Sequence, residues 1–402
     1  MSNIITEKPS GPEFVFPSFD KTKFDASLRE QSASVGKFGQ KLTTLLGASG
    51  KNVFISPLSI HECLLMAGNG AMRSTLHSMK ETLCLPNASS DEPINLLHSM
   101  LTAGRQMENR APLFTMANSL WISNKFPVYA AFLSESESIF DATAKSMDFS
   151  KPETVTAINS WVSTNTKGLI KQVVNRLEPD HRMVLVNTVH FQQDFDAKFE
   201  ESSTRPQDFT LFDGTKRKVN MMHMKHALRN CRNSDVSAVC LDFAHPDAMM
   251  VLILPNETGK NALLSTASKY LEPKEFSALV KECAPSLIDL GLPKFEMECS
   301  EELKDPLTAL GMGTAFSDAA EFPRISPQPL KIDQVIHKTL LKVAENGIEA
   351  AAATAIMMGI TMFLPPETPP PQLIFDRPFI VALADKRNDL IFFEGLITSL
   401  AR

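Results

Sequence analysis

Helical signals in this chain come mostly before its strand signals, and no regular alternation of strand with helix follows. That order constrains the fold more than any other feature, because a doubly wound parallel sheet needs a helix between successive strands. From Ser34 to Leu46 apolar residues recur at helical spacing (Val35, Phe38, Leu42, Leu45 and Leu46), and Gly47 closes the run. Ser56-Pro57 joins a capping side chain to a residue preorganised for a first helical turn, which predicts a helix over the apolar stretch Ile60 to Ala71. A third helix is predicted over Val155–Val174, with Ile158, Trp161, Val162 and Ile170 on related faces. Strand-like runs occupy Phe114–Ser123, Met183–Phe191, Ala238–Phe243, Met249–Leu254, Ser286–Leu292, Phe379–Ala384 and Leu390–Leu396. Together these predict an α+β fold.

The chain has 402 residues, and no stretch reads as a linker between two domains. Residues 1–25, with Pro9, Pro12 and Pro17, are expected to form a lead-in, and residues 26–402 a single domain. Hydrophobic residues make up 43% and charged residues 21%, which allows a sizeable core. The net charge of −6 argues against nucleic acid as a main partner, since phosphate binding favours a basic footprint. The start of the chain lacks a basic stretch followed by an apolar run, and no apolar run is long enough to span a bilayer. A cytoplasmic protein, or one exported without a visible leader, is therefore expected, with no membrane partner. Cys63, Cys84, Cys231, Cys240, Cys283 and Cys299 are scattered without a paired spacing, which suits a reduced chain.

Three other groupings carry little. His223 and His226 have no third ligand nearby in the sequence, so no metal is expected. His61-Glu62-Cys63 lacks the second histidine of a zinc-protease helix. Lys216-Arg217-Lys218 reads as a solvated basic face.

The compositionally odd segment is Gly347–Gln372, an alanine run, then a methionine-rich apolar patch, then prolines at 365, 366 and 369–371. Alanine favours helix, so the plain reading of Glu349 to Ala355 is a short surface helix leading into a stiff proline spacer. As a strand, the same stretch sorts differently. One face carries Ile348, Ala350, Ala352, Thr354, Ile356 and Met358, suited to a core; the other carries Glu349, Ala351, Ala353 and Ala355, suited to water. Small side chains are what a strand needs if it must slide between two strands already in place.

Glu345-Asn346-Gly347-Ile348-Glu349-Ala350-Ala351-Ala352-Ala353-Thr354-Ala355 resembles the hinge of inhibitory serpins, and the resemblance runs from about residue 30 to 398. Asn52 to Ile60, Ala117 to Trp121, Ile158 to Val162, Leu185 to Phe191, Phe199, Leu292 to Phe295, His337-Lys338, Arg377 to Phe379 and Phe393 to Gly395 follow in family order. Within that family the chain resembles intracellular members of the ovalbumin type, which lack a signal peptide.

The resemblance implies helices packed around three β-sheets with an exposed reactive loop at about residues 345–376, and no catalysis or cofactor by the chain itself. A monomeric suicide substrate would trap a serine protease, or a cysteine protease in a crossover case, by inserting its cut loop into the main sheet. Family spacing sets the reactive bond at Thr361–Met362, with Met362–Phe363 and Phe363–Leu364 as neighbours. No Lys or Arg lies between Lys342 and Arg377, so an elastase- or chymotrypsin-like target fits and a trypsin-like one does not. The hinge would comprise Glu345, Gly347, Ile348, Glu349, Ala350, Ala351, Ala352, Ala353 and Thr354. Ser56, Ser59, Asn187 and His337 would form a polar cluster where the sheet opens, and Lys294 with Glu345 an ion pair at its top.

Four positions depart from the family pattern: Ile348 where a small residue is usual, Arg73 and Gln193 where glycine is usual, and Phe195 where tryptophan is usual. A non-inhibitory carrier, chaperone or storage member is the alternative that Ile348 leaves open.

Overall fold

The computed structural model describes residues 4–5, 21–86, 88–89, 114–348, 369–387 and 390–400. The helices are α1 (Lys21–Gly47), α2 (Pro57–Asn69), α3 (Arg73–Thr82), α4 (Ala130–Phe140), α5 (Pro152–Asn165), α6 (Lys260–Tyr270) and α7 (Pro273–Glu282), with short helical turns besides. The strands begin with β1 (Ile4–Ile5), β2 (Val53–Ile55), β3 (Phe114–Ser123), β4 (Val128–Tyr129), β5 (Thr143–Met147), β6 (Met183–Phe191) and β7 (Gln193–Asp194). They continue with β8 (Arg205–Thr210), β9 (Lys216–Arg232), β10 (Val236–Asp242), β11 (Ala248–Pro255), β12 (Ala284–Pro293) and β13 (Phe295–Glu302). Last come β14 (Ile332–Ala344), β15 (Gly347–Ile348), β16 (Gln372–Ile374), β17 (Phe379–Asp385) and β18 (Ile391–Ile397).

Among the described residues these strands form a nine-stranded sheet, a seven-stranded sheet and the pair β1–β4, so the α+β architecture is the observed one. In the nine-stranded sheet, the 17-residue β9 pairs successively with β8, β12 and β10, and so ties both parts of that sheet together. The seven-stranded sheet runs β5-β3-β6-β14-β15-β7, with β13 on the other edge of β14.

Local chemistry accounts for the elements around the seam of that sheet. The Ser56 hydroxyl accepts the Ser59 N–H at 3.2 Å, Pro57 fills the first helical position, and every residue of α2 is buried. α2 packs on one face of the sheet. α5 covers the other, where Ile158 and Val162 meet Trp121, Val184, Val186 and Ile336.

The predicted helix over Val155–Val174 ends early, at Asn165. Lys167 and Gly168 take positive φ (52° and 82°) and reverse the chain. Asn159 then catches the returning strap, accepting the Val173 and Val174 N–H groups at 2.8 and 3.1 Å and donating to the Val174 carbonyl at 2.8 Å. In the opposite direction, α1 begins at Lys21, well before Ser34, so regular structure reaches into the lead-in expected over 1–25.

Candidate functional site

β6 and β14 lie side by side in parallel, paired from Met183 with Ile332 to His190 with Leu340. Above Leu340 the two strands part, and β15 fills the gap. Gly347 and Ile348 pair antiparallel with Ala344 and Val343 on one side and with Asp194 and Gln193 on the other.

The chain reaches this seat through a tight reversal that glycine alone fits. Gly347 has φ of +147°, and a Cβ there would lie 2.3 Å from the Gln193 carbonyl oxygen and 2.7 Å from the Asp194 Cα. The backbone of the reversal is also held: the Glu345 and Asn346 carbonyls accept the Phe199 and Phe195 N–H groups at 2.9 and 2.8 Å. Ile348 is fully buried in the cluster that contains Leu341, Val343, Phe191 and Phe195.

Glu345 anchors the same turn from its side chain. Its carboxylate accepts the Lys294 ammonium at 2.7 Å and the Thr204 hydroxyl at 2.9 Å. Burial alone would raise this carboxyl, but Lys294, the residue's own backbone N–H and Thr204 together hold it below its ordinary value. Lys294 is 43% exposed, so the pair contributes about 1 kcal/mol or less. Its value lies in fixing where the turn sits.

Below β15 the seam carries one buried polar cluster. Asn187 of β6 stands opposite His337 of β14 and opposite Asn118 of β3. The Asn187 amide donates to the Asn118 side-chain oxygen at 2.5 Å and to the Ser59 hydroxyl, while its oxygen pairs with His337 Nδ1. On the far side of the ring, His337 Nε2 accepts the Ser56 backbone N–H at 3.1 Å, so Nδ1 carries the proton and the imidazole is neutral. The Ser56 hydroxyl donates to the Phe392 carbonyl at 2.7 Å. The cluster thus ties β3, β6, β14 and β18 to the start of α2.

Burial pushes the His337 imidazole down from 6.5 to about 3. Protonation would turn Nε2 into a donor facing a donor. Because the depressed group binds a proton more weakly when folded, its support for the fold is present above pH 6.5 and lost as pH falls through 3. Folding stability should therefore fall by up to ~1.4 kcal/mol per pH unit below 6.5 on this group's account. Urea unfolding at several pH values checks this. The slope should drop by up to one proton in His337→Gln, and equal slopes would contradict the assignment.

The family follows from comparison with known proteins. A family model described as "Serpin (serine protease inhibitor)" matches residues 33–400. The chain belongs to the serpin family. A serpin-like protein of Thermococcus kodakarensis is 32% identical, over 98% of this chain and 92% of its own length. Serpin B6 of Macaca fascicularis is 28% identical over 90% of this chain and 98% of its own. Among solved structures, the thermophilic serpin tengpin in its native state superposes with a TM-score of 0.81 at 28% identity, covering 98% of both chains. This membership supports a protease-inhibitor or serpin-like function.

Several expected serpin residues are brought together: Ser56, Ser59, Asn187 and His337 in the cluster, and Lys294, Glu345, Gly347 and Ile348 at the sheet top. Glu349, Ala350, Ala351, Ala352, Ala353, Thr354, Thr361, Met362 and Phe363 lie outside the described residues. Asn118 is a member of the cluster that sequence reasoning missed. Its signal was available, as the one side-chain amide in β3, a strand whose other polar residues are hydroxyls.

At the departures from the family pattern, Phe195 fills its buried position by stacking on Phe243, with ring centroids 5.4 Å apart. Arg73 adopts φ of 51°, a left-handed conformation that glycine takes more readily. His223 is buried beside Asp289 (3.5 Å) whereas His226 is exposed three residues along the same strand, so the two do not converge. No group of three or more potential metal ligands occurs among the described residues, and no helix there is long and apolar enough to cross a membrane.

Proposed function

We propose that this serpin inhibits elastase- or chymotrypsin-like serine proteases by offering the segment between β15 and β16 as bait and drawing the cut segment into the seven-stranded sheet. The supporting observation is the seat of β15, which sets a register for everything that would follow it. Continuing that pairing puts Ala350 opposite Leu341 and Phe191, Ala352 opposite Thr339 and Val189, and Thr354 opposite His337 and Asn187.

In that register the Thr354 hydroxyl arrives at the polar cluster, where hydrogen bonds can be exchanged as the strands part. The other face, expected from sequence to meet water, would pass beneath α5: Ala353 opposite Lys338 and Thr188, Ala355 opposite Ile336 and Val186. A strand packed on both faces needs small residues on both. That is a physical reason for an alanine run in place of simple alternation.

The chemistry belongs to the protease. Its serine attacks the carbonyl of Thr361, the amine of Met362 leaves, and an acyl-enzyme holds the cut end. About a dozen newly paired residues at roughly 1 kcal/mol per net hydrogen bond give on the order of 10 kcal/mol, comparable to the stability of a whole domain. Ile348 does not argue for a non-inhibitory carrier as strongly as it does in sequence alone, since its bulk is already housed before any cut.

Incubation with elastase, chymotrypsin and trypsin tests the reading. An adduct that survives boiling in detergent is expected with elastase or chymotrypsin and absent with trypsin. Clean cleavage with no adduct from any of them would overturn it in favour of a carrier.

A further inference from the structure

Three of the six cysteines converge far from the seam. Cys231 lies near the end of β9, Cys240 lies in β10, and Cys283 caps α7 just before β12. Cys231 stands opposite Ala238, so Cys240, two residues further on, shares its face of the sheet. On the other edge, Asn230 stands opposite Ala284, which brings Cys283 level with Cys231. The Cys231 and Cys283 sulfurs are 3.1 Å apart, and Cys240 lies on the same face of the sheet as Cys231. All three thiols are free.

Directly opposed residues of an antiparallel ladder have Cα atoms about 4.5–5.5 Å apart, within the range of about 4.4–6.8 Å that a disulfide bridges. The sulfurs would have to approach by only about 1 Å more, a matter of side-chain rotation. We propose that Cys231 and Cys283 are an oxidation-sensitive pair that closes to a disulfide on contact with a hydroperoxide, leaving Cys240 reduced.

The roles differ within the pair. The hydrogen bond from Cys283 holds the Cys231 thiol below its ordinary value, while Cys283, which donates, is pushed up. Cys231 is 7% exposed and Cys240 2%, so a small oxidant reaches Cys231 more readily. The Cys231 thiolate attacks one peroxide oxygen, the O–O bond breaks, and the departing oxygen leaves as alcohol (water, for hydrogen peroxide) after taking a proton. Cys283 sulfur then attacks the resulting sulfenic sulfur, the S–O bond breaks, and the oxygen leaves as water with the Cys283 proton. Two thiols are oxidised by two electrons in total and one hydroperoxide is reduced.

The bond would span 52 positions and staple the start of β12 to β9. β12 is also the strand on which β16 docks, so the staple would stiffen the frame that holds the far end of the bait.

The test uses the full chain treated with hydrogen peroxide, denatured, alkylated and mapped by mass spectrometry. Alkylatable thiols should fall from six to about four, with a dithiothreitol-reversible link between the Cys231 and Cys283 peptides. Cys240→Ser should keep the link, and the thermal midpoint of the oxidised wild type should rise. An unchanged thiol count would overturn the proposal. So would a first link made through Cys240 or Cys84, or conversion of Cys231 to sulfinic acid with Cys283 still alkylated.

Discussion

Nicking the bait between Gly359 and Leu364 should raise the midpoint of thermal unfolding by about 20 °C. The seam between β6 and β14 is closed up to Leu340 and opened above it by only two residues of β15. Once the far end of the segment is released, each further residue that enters gains partners on both sides. About a dozen such residues supply on the order of 10 kcal/mol, and in domains of roughly 150–250 residues each kcal/mol is worth about 2–4 °C. Calorimetry on intact protein and on protein nicked by a non-target protease, at one scan rate, makes the comparison, since unfolding of so large a domain can be irreversible. An unchanged midpoint would mean that nothing enters the sheet. The family assignment would then stand and the trapping function would fall.

Ala350→Arg should leave the bait cleavable while abolishing both the detergent-stable adduct and the gain in heat resistance. If the cut segment enters in the register of β15, position 350 would come between Leu341 and Phe191, both of which are buried. An arginine there would bury a charge with no partner, at a cost of several kcal/mol, so entry should slow by about 100-fold or more. Deacylation would then outrun insertion. Ala350→Ser, which adds one hydroxyl and keeps the side chain small, should lower adduct yield by less than about tenfold. Similar adduct yields for the arginine variant and the parent would show that the strand enters in another register or not at all.

Much of the frame is legible in the sequence because its signals are local. Ser56-Pro57 caps α2, and the apolar runs of β3 and β6 begin and end where the structure puts them. β14 is not legible in the same way. Its sequence mixes Asp333, Gln334, His337, Lys338 and Thr339 with apolar residues, since it is covered on both faces and contributes to a polar cluster. The end of α5 is hidden because apolar spacing continues through Ile170 to Val174, although the reversal at Lys167 and Gly168 moves those residues onto a strap. The seat of β15 cannot be read from sequence at all. It depends on Gln193 and Asp194, more than 150 positions earlier, and on a glycine whose need is set by their backbone. The three thiols are a similar case: they carry no spacing signal, and only the pairing of β9 with β10 and β12 collects them.

β17 and β18 are buried along their whole length and lie between β11 and β2, with Phe393 stacked on Phe54 and Phe379 against Phe375. Severing the backbone ahead of them therefore detaches nothing. The small C-terminal piece should stay lodged in the body like a keystone, so that the nicked protein elutes as one particle from a sizing column and separates into two only in denaturant.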